Sequence, residues 1–512
     1  VGHDHRHNSH RFARLTASVF RRRGWKVYEF EGLVHTPMVP FATKQLNAAL
    51  GVMITASHNP AKDNGYKVYW SNAVQIIPPH DGGISSSIAE SLEIDAQAWD
   101  IDSAANQSKW DGTQEMIKKY IAMVEELSSR KDSNSKSSLL FTYTAMHGVG
   151  LPFALKAVES FGFSADQHIT VVEEQSRVPD PDFRTVKFPN PEEKGALDLA
   201  IQHAEKAGST IVLANDPDAD RFCAAEQVDG KWNVFTGDQI GALLGYQALE
   251  RYKQTGLPID KLGMCASTVS SKMLRSMAEK EGFIFRETLT GFKWIGNEMI
   301  KLQEEGYNPM FAYEEAIGFM NGTEIRDKDG VTALSIFAEM AATLAEEGKT
   351  ISQQLDSLFE EYGYHATSNS YFICRDPKKT DRIFSQLRFS KTNVDSTTAS
   401  PSLLQLPKTL ASFPLTSIRD LTIGYDSAAP APDHLPSLPV DKSAHMISFE
   451  VGGGDQVKVV GTVRTSGTEP KIKFYLEARG TDRPAVLAKL EQVREAVGSE
   501  WLRWEENGLE KA

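Results

Sequence analysis

Along most of the chain, stretches with apolar residues at every third or fourth position alternate with short runs that are apolar throughout or at every second position. The first pattern is that of an amphipathic helix and the second that of a strand. "HRFARLTASVFRRRG" places Phe12, Leu15 and Val19 at helical spacing and closes on Gly24, a residue suited to a helix C-terminus; "KVYEF" after it alternates as a strand would. Further strands are predicted in "LGVMI" (50–54), "SSLLFTYTA" (137–145), "HITVVEE" (168–174), "STIVLAND" (209–216), "KLGMCAST" (261–268) and "NPMFAYEE" (308–315). Helices are predicted between them, in "EEKGALDLAIQHAEKAG" and "GVTALSIFAEMAATLAEEG". Alternation of this kind predicts an α/β architecture.

Three of the apolar runs open directly into a polar loop: "LGVMI" into "TASHNP", "STIVLA" into "NDPDADR", "NPMFA" into "YEEAIGF". Open α/β sheets bind ligands at strand ends. The recurrence predicts three domains of similar plan, each giving one loop to a shared cleft, although sequence similarity between the repeats is too weak to establish them. Over 392–445 the texture turns rich in Ser, Thr, Pro and Ala, and a long loop or interrupted insertion is expected there rather than a continuous packed element. Alternation resumes in "MISFEVGG", "QVKVVGTVRTSG" and "IKFYLEARG", followed by a terminal helix from about Pro484. This is the pattern of a small β-rich last domain.

Composition narrows the function. At 512 residues the chain exceeds one core, and 41% hydrophobic with 24% charged residues is the balance of a soluble globular protein. No run of about 18 apolar residues is available to span a bilayer, so a membrane partner is not expected. The net charge of −13 repels polyanions, which argues against nucleic acid and requires positive charge to be concentrated locally if an anion is to bind. Cys223, Cys265 and Cys374 are far apart and lack metal-ligand spacing, as in a protein of a reducing cytosol. The start, "VGHDHRHNSHR", has no apolar segment of a signal peptide and lacks an initiator Met; "VG" reads as the tail of a strand whose beginning is missing. His3, His5, His7 and His10 have no defined ligand geometry and are not read as a metal site.

The chemistry lies in the loops. Ser57 in "TASHNP" is either an ordinary turn residue or a nucleophile held at a strand end beside His58. Asp216, Asp218 and Asp220 in "NDPDADR" converge only if Pro217 keeps the segment out of a helix. Two carboxylates about 4 Å apart repel by about 4 kcal/mol at an effective dielectric near 20, so a converged trio calls for a cation, and oxygen ligands favour Mg²⁺; the alternative is a solvated Asx turn. Arg221 beside them can orient a carboxylate or phosphate. In "RTSGTEPKIK", Arg464 can grip a phosphate bidentately while Ser466, Gly467 and Thr468 offer neutral donors, with a plain β-turn as the alternative. Glu314 and Glu315 suit vicinal sugar hydroxyls, or a solvated acidic turn. Lys67 and Lys328 can exchange protons if desolvation lowers their pKa, and Lys293 and His147 are weaker candidates of the same kind.

Taken in order and spacing, "TASHNP", "DPDADR", "EEAIGF" and "RTSGTEP" resemble the phosphoserine, metal, sugar and phosphate loops of the α-D-phosphohexomutase superfamily, over essentially the whole chain. "YEEAIGF", "MHGVG" and "PDPDFRTVKFPNPEEKGAL" are most similar to its eukaryotic phosphoglucomutase-2 and phosphopentomutase branch. The resemblance implies a four-domain fold around a central cleft. The expected parts are a phosphoserine domain (1–135, N-terminally incomplete), a metal domain (136–258), a sugar domain (259–366) and a phosphate-binding α+β domain (367–512). It implies that Ser57 carries the transferable phosphoryl group, with Ser57, Asp216, Asp218 and Asp220 around Mg²⁺. His58, Lys67 and Lys328 would serve the transfer. Lys293, Glu314, Glu315, Arg221, Arg464, Ser466, Gly467 and Thr468 would bind substrate. Phe319 stands where many bacterial members have a histidine, and Lys328 is the expected substitute.

The implied activity is a phosphosugar mutase: pentose or hexose 1-phosphate and 5- or 6-phosphate interconverted through a phosphoserine and a sugar bisphosphate, which also primes the serine. Two alternatives are a sugar-bisphosphate synthase fed by an acyl phosphate, and an inactive phosphosugar-binding fragment. A cytosolic monomer is expected.

Overall fold

The computed structural model describes residues 1–103, 106–107, 110–390, 394–395, 401–452, 456–467 and 469–511. They form two units, Val1–Ser267 with Glu281–Leu355, and Thr268–Lys280 with Asp356–Ala512.

The first unit holds three sheets. In the first, β1 (Gly2–His3) runs parallel to β2 (Gly51–Ile54), which pairs antiparallel with β3 (Tyr66–Tyr69). The second contains β4 (Phe141–Thr144), β5 (Ile169–Val171), β6 (Ile211–Asn215), β7 (Phe222–Val228) and β8 (Lys231–Val234) in the order β5-β4-β6-β7-β8, parallel up to β6 and antiparallel after it. The third contains β9 (Leu262–Ser267), β10 (Ile284–Thr288), β11 (Asn308–Glu314) and β12 (Gly318–Asn321) in the order β10-β9-β11-β12, again parallel until the last pair. β2, β4, β6 and β9 are buried at every position, as strands covered on both faces are.

One plan repeats. In each sheet a parallel strand enters a short polar loop and the chain returns antiparallel beside it: β2 to β3, β6 to β7, β11 to β12. Each loop holds one non-glycine residue in the left-handed region, Ser57 at φ 52°, Ala219 at 52° and Ile317 at 51°. Such a residue costs on the order of 1 kcal/mol and persists only where its surroundings over-determine it. The backbone thus carries the repeat that side-chain identity obscures.

The helix Gly330–Glu346 is buried along nearly its whole length, as its apolar composition dictates. Its N-terminus reaches the second loop: a Cβ on Gly330 would stand 2.1 Å from the Arg221 carbonyl oxygen and 2.6 Å from Asn215 Nδ2.

The second unit is built on an eight-stranded sheet of β13 (Tyr364–Ile373), β14 (Thr409–Leu410), β15 (Phe413–Asp420), β16 (Tyr425–Asp426), β17 (Met446–Val451), β18 (Lys458–Thr465), β19 (Lys471–Gly480) and β20 (Glu510–Lys511). The order is β14-β15-β17-β18-β19-β13-β20, with β16 beside β15. Val486 and Val493 of the helix Arg483–Ala496 join Ile418, Phe449, Ile472 and Phe474 in its core.

Two expectations are corrected. Lys26–Phe30 joins no ladder; alternation makes a strand only where a partner offers its edge, and here the Phe30 amide donates to the Val1 carbonyl without pairing continuing. Within 392–445, Phe413–Asp420 is a true strand against β17 that buries Ile418 and Asp420. Pro414 sits near its start, where a missing amide is tolerated, so proline did not exclude it. Residues 392, 393 and 396–400 of that segment lie outside the described residues. Among the described residues, no helix is long and apolar enough to cross a membrane.

Candidate active site

Asp216, Asp218 and Asp220 leave the end of β6 fully buried, with one carboxylate oxygen of each lying within 4.8 Å of the others. Pro217 prevents a helix and Ala219 turns left-handed, its amide donating to the Asp216 carbonyl at 2.9 Å, so positions i, i+2 and i+4 converge instead of alternating. "MHGVG" braces this loop: a Cβ on Gly148 would come within 2.1 Å of the Pro217 carbonyl oxygen, and the Val149 amide donates to that oxygen at 2.8 Å. His147 is part of the brace, with Nε2 2.7 Å from Thr185 Oγ1.

Ser57, half-buried, donates from Oγ to Asp216 Oδ2 at 2.9 Å and has His58 Nδ1 at 3.3 Å. Lys67, projecting from β3, places Nζ 2.9 Å from Asp218 Oδ2 and 2.7 Å from Asp220 Oδ2, while Lys328 Nζ is 2.5 Å from Asp220 Oδ2. Seven residues from four separate stretches of sequence thus meet at one point. Thr36 joins them without having been picked from the sequence: its hydroxyl donates to Asp218 Oδ2 at 2.5 Å and its amide to the Asp218 carbonyl at 2.9 Å. A lone threonine before a proline carries no spacing signal. Asp327, beside Lys328, was missed for the same reason; it accepts from Tyr69 at 2.7 Å and Gln75 at 2.8 Å.

The charges are unequal. Burial, and then repulsion from Asp218 and Asp220, hold the Asp216 carboxyl well above the usual range. Burial acts the same way on Asp218, but the Lys67 and Lys328 ammonium groups outweigh it and push that carboxyl down. Two expectations change here. Burial alone would lower Lys67, yet Asp218 and Asp220 dominate and raise it, so its ammonium is a fixed charge and not a desolvated base. His58 is pushed down to about 2, first by the Arg221 guanidinium and then by burial, so its imidazole is neutral and brings no positive charge to Ser57.

Arg221 links the second loop to the third. Its Nε is 3.9 Å from both Asp216 and Asp220, an Nη1 hydrogen bond of 3.1 Å reaches the Ala316 carbonyl, and its backbone bridges to Gly318. Glu314 accepts from the Gly291 amide at 2.7 Å and Glu315 from Ser267 Oγ at 3.1 Å. Lys293, in the first turn of the helix Phe292–Glu304, lies over the Trp294 ring at 5.6 Å.

In the second unit, "RTSGTEPKIK" is the hairpin between β18 and β19. The Ser466 amide closes it on the Lys471 carbonyl at 2.9 Å, Arg464 Nη2 lies 3.4 Å from the Tyr475 hydroxyl, and among the described residues nothing beyond its chain neighbours stands within 4 Å of where a Gly467 Cβ would be. The Gly467 backbone is therefore open to an incoming ligand. Glu469 engages Lys471 at 2.6 Å and Lys473 at 3.3 Å, so the two lysines bring less net positive charge than their number suggests. Thr468 lies outside the described residues.

The aspartate trio fits a hard divalent cation. All its donors are oxygen, and Asp218 Oδ1 and Asp220 Oδ1 are buried without a hydrogen-bond partner among the described residues. No other cluster of three or more His, Cys, Asp or Glu residues converges in this way among the described residues; of the N-terminal histidines, His7 pairs with Asp182, His3 packs against the ring of His10, and His5 packs edge-on against Phe183.

Comparison with known proteins agrees with this arrangement. Residues 1–95, 118–230 and 236–362 match "Phosphoglucomutase/phosphomannomutase, alpha/beta/alpha" domains I, II and III respectively. The chain is 46% identical over 514 residues to a "Probable phosphoribomutase" of Schizosaccharomyces pombe, covering 100% of this chain and 84% of that protein. It is 45% identical over 477 residues to the human "Phosphopentomutase" (92% of this chain, 74% of that one). To the human "Glucose 1,6-bisphosphate synthase" it is 42% identical over 513 residues (98% and 79%). A solved phosphoglucomutase/phosphomannomutase family protein from Burkholderia thailandensis shares the fold, with a TM-score of 0.63 at 16% identity over 97% of this chain and 88% of that one. With three successive domain matches and relatives this similar along its full length, the chain belongs to the phosphoglucomutase/phosphomannomutase family of phosphosugar mutases.

Proposed function

We propose that the chain interconverts the 1-phosphate and 5-phosphate of a pentose, or the 1- and 6-phosphates of a hexose, through phosphorylated Ser57 and a sugar bisphosphate. The observation that carries this reading is the placement of Ser57 Oγ on Asp216 at 2.9 Å, inside a buried trio of aspartates flanked by Lys67 and Lys328. The pentose preference is supported by relatives named phosphoribomutase and phosphopentomutase at 45–46% identity.

Asp216, Asp218 and Asp220 would hold Mg²⁺, which supplies positive charge to the oxygens of the transferred phosphoryl group. In the first half-reaction the bond between Ser57 Oγ and phosphorus breaks as the free sugar hydroxyl bonds to phosphorus, while the Lys328 ammonium gives a proton to the departing Ser57 Oγ and takes up the hydroxyl proton in its place. The bisphosphate turns around. Ser57 Oγ then attacks the other phosphate, and Lys328 returns the proton to the departing sugar oxygen. Lys67 keeps Asp218 ionised, and neutral His58 accepts a hydrogen bond beside the serine. Glu314 and Glu315 accept from sugar hydroxyls, while Arg221, Lys293, Arg464, Ser466, Gly467 and Thr468 bind substrate phosphate. A sugar bisphosphate primes Ser57. Three buried, unpaired cysteines suit the cytosol, and the reading takes the chain as a monomer.

Incubation with ribose 1,5-bisphosphate or glucose 1,6-bisphosphate is expected to add one phosphoryl group to the peptide containing Ser57, read by mass. No added mass with either sinks the proposal. Side-by-side rates on ribose 1-phosphate and glucose 1-phosphate decide the sugar. A second reading, sugar-bisphosphate synthase, is favoured by relatives of that name at 42–43% identity. Bisphosphate formation that depends on an acyl phosphate donor and outruns mutase turnover would select it.

A further inference from the structure

Ser57 is a non-glycine residue at φ 52° in a loop whose carbonyl groups find few partners within the loop itself. Something outside the loop has to hold it. We propose that Arg6 is a positioning residue for phosphoryl transfer, clamping the Ser57 loop in the backbone conformation that presents Oγ to the aspartate trio. The inference rests on the reading of Ser57 as phosphoryl carrier.

Arg6 lies between β1 and the helix Ser9–Arg22, and its side chain is fully buried. Its Nη2 donates to the Ser57 carbonyl at 2.6 Å and to the Asn59 carbonyl at 2.6 Å; Nη1 donates to Pro60 at 2.9 Å and Asp63 at 3.4 Å. One guanidinium therefore satisfies four main-chain oxygens spread across the loop, the first belonging to Ser57 itself. Charge-assisted bonds of this kind are stronger than neutral ones, and a guanidinium with five donors in a fixed fork reaches four acceptors where an ammonium has only three donors to offer.

The clamp is itself held. Arg6 Nε lies 3.4 Å from Asp4 Oδ2, and Asp4 is fixed by the Ser9 hydroxyl at 2.6 Å and the Arg6 amide at 3.0 Å. The Asp4 amide donates to the Ile54 carbonyl at 3.0 Å, tying the clamp to the end of β2, from which the loop departs. The guanidinium also lies over the Phe183 ring, 4.9 Å from its centroid. Phe183 comes from "PDPDF", in the connection between β5 and β6 of the sheet whose β6 leads into the trio, so one side chain couples the serine loop to the part of the fold bearing the aspartates.

Without the clamp, Ser57 is free to leave the left-handed region, and its Oγ moves off Asp216. A misplacement of about 1 Å at a reacting centre costs on the order of 10²-fold in rate. Arg6 touches no reacting atom, so the loss falls on kcat and on phosphorylation of Ser57, not on KM.

The test measures steady-state kinetics and the rate of Ser57 phosphorylation by sugar bisphosphate in the full chain, with near-UV circular dichroism as the check of folding. Arg6→Ala is expected to lower kcat and the phosphorylation rate about 10²-fold, with KM nearly unchanged and partial rescue by added guanidinium ion. Arg6→Lys keeps a charge opposite Asp4 but not the fork, and is expected to fall between the two. If Arg6→Ala does not fold, Arg6→Lys is read by the same criteria. A folded variant with wild-type kcat and wild-type phosphorylation rate, or a loss confined to KM or to melting temperature, overturns the role of Arg6. Absence of phosphate on Ser57 in the wild type overturns the reading beneath it instead.

Discussion

Three aspartates within five positions of one another do different things because their neighbours differ. Asp218 and Asp220 face two lysines, and Asp216 faces the serine hydroxyl, so the charge is held on one side of the trio and the acceptor for Ser57 stands on the other. Ser57→Ala is expected to abolish turnover while leaving thermal unfolding unchanged, since a half-exposed hydroxyl contributes little to packing; steady-state rates and a melting curve check both halves. In the second unit, His445 makes a prediction about pH. Arg388 can only donate, so His445 Nδ1 must accept its bond at 2.8 Å, which leaves the proton on Nε2 for Asp381 at 2.9 Å. Burial, and then Arg388, hold the imidazole below its usual 6.5. Below pH 6.5 the unfolded chain binds a proton that the folded one refuses, so stability falls with pH by up to about 1.4 kcal/mol per unit until the folded pKa is reached. Denaturant unfolding between pH 7 and 5 is expected to show this slope in the wild type and a shallower one in His445→Gln.

At the level of elements, the repeated hairpin is what makes a site out of three loops. A parallel strand delivers the chain to the edge of its sheet, a left-handed residue turns it, and the antiparallel return strand keeps the loop short. The helix Gly330–Glu346 follows the third loop, and its first residue packs directly on the second. Gly330→Ala sets a methyl group against the Arg221 carbonyl at 2.1 Å, where backbone and not a flexible side chain has to move. The variant is expected to lose about 1–3 kcal/mol of stability and to lose activity with it, read by denaturant unfolding beside kcat. Stability falling with activity intact would show that the contact does not shape the loop. Pattern reading found the strands that enter these loops, because alternation and apolar runs are local properties. It erred at Lys26–Phe30 and at Phe413–Asp420, where the presence of a partner strand, and not local composition, decided the outcome.

Across the whole molecule the net charge is −13, yet Lys67, Lys328 and Arg221 gather around the aspartate trio, so the charge at the site is set by local pairing and not by the total. A divalent cation that binds the trio would stabilise the folded chain by mass action, about 2.7 kcal/mol when the free ion is at 100 times its dissociation constant. Mg²⁺ is expected to raise the melting temperature, EDTA to reverse the rise, and Asp218→Asn to show neither; an identical rise in that variant would place the ion elsewhere.

The order of the four loop motifs, the residue types within them and the alternating helix and strand pattern were determined by the sequence alone, because each is legible within a dozen neighbouring positions. From these came the family, the serine, the aspartate trio and the two lysines. Tertiary structure alone decided which groups hold those residues in place. Thr36 meets Asp218 across 182 positions, and Arg6 meets Ser57 across 51. Neither pairing leaves a periodicity or a spacing to read, since a hydrogen bond requires only that two groups arrive at the same place. The charge states were decided there too: Lys67 stays charged and His58 neutral because of what the fold brings beside them.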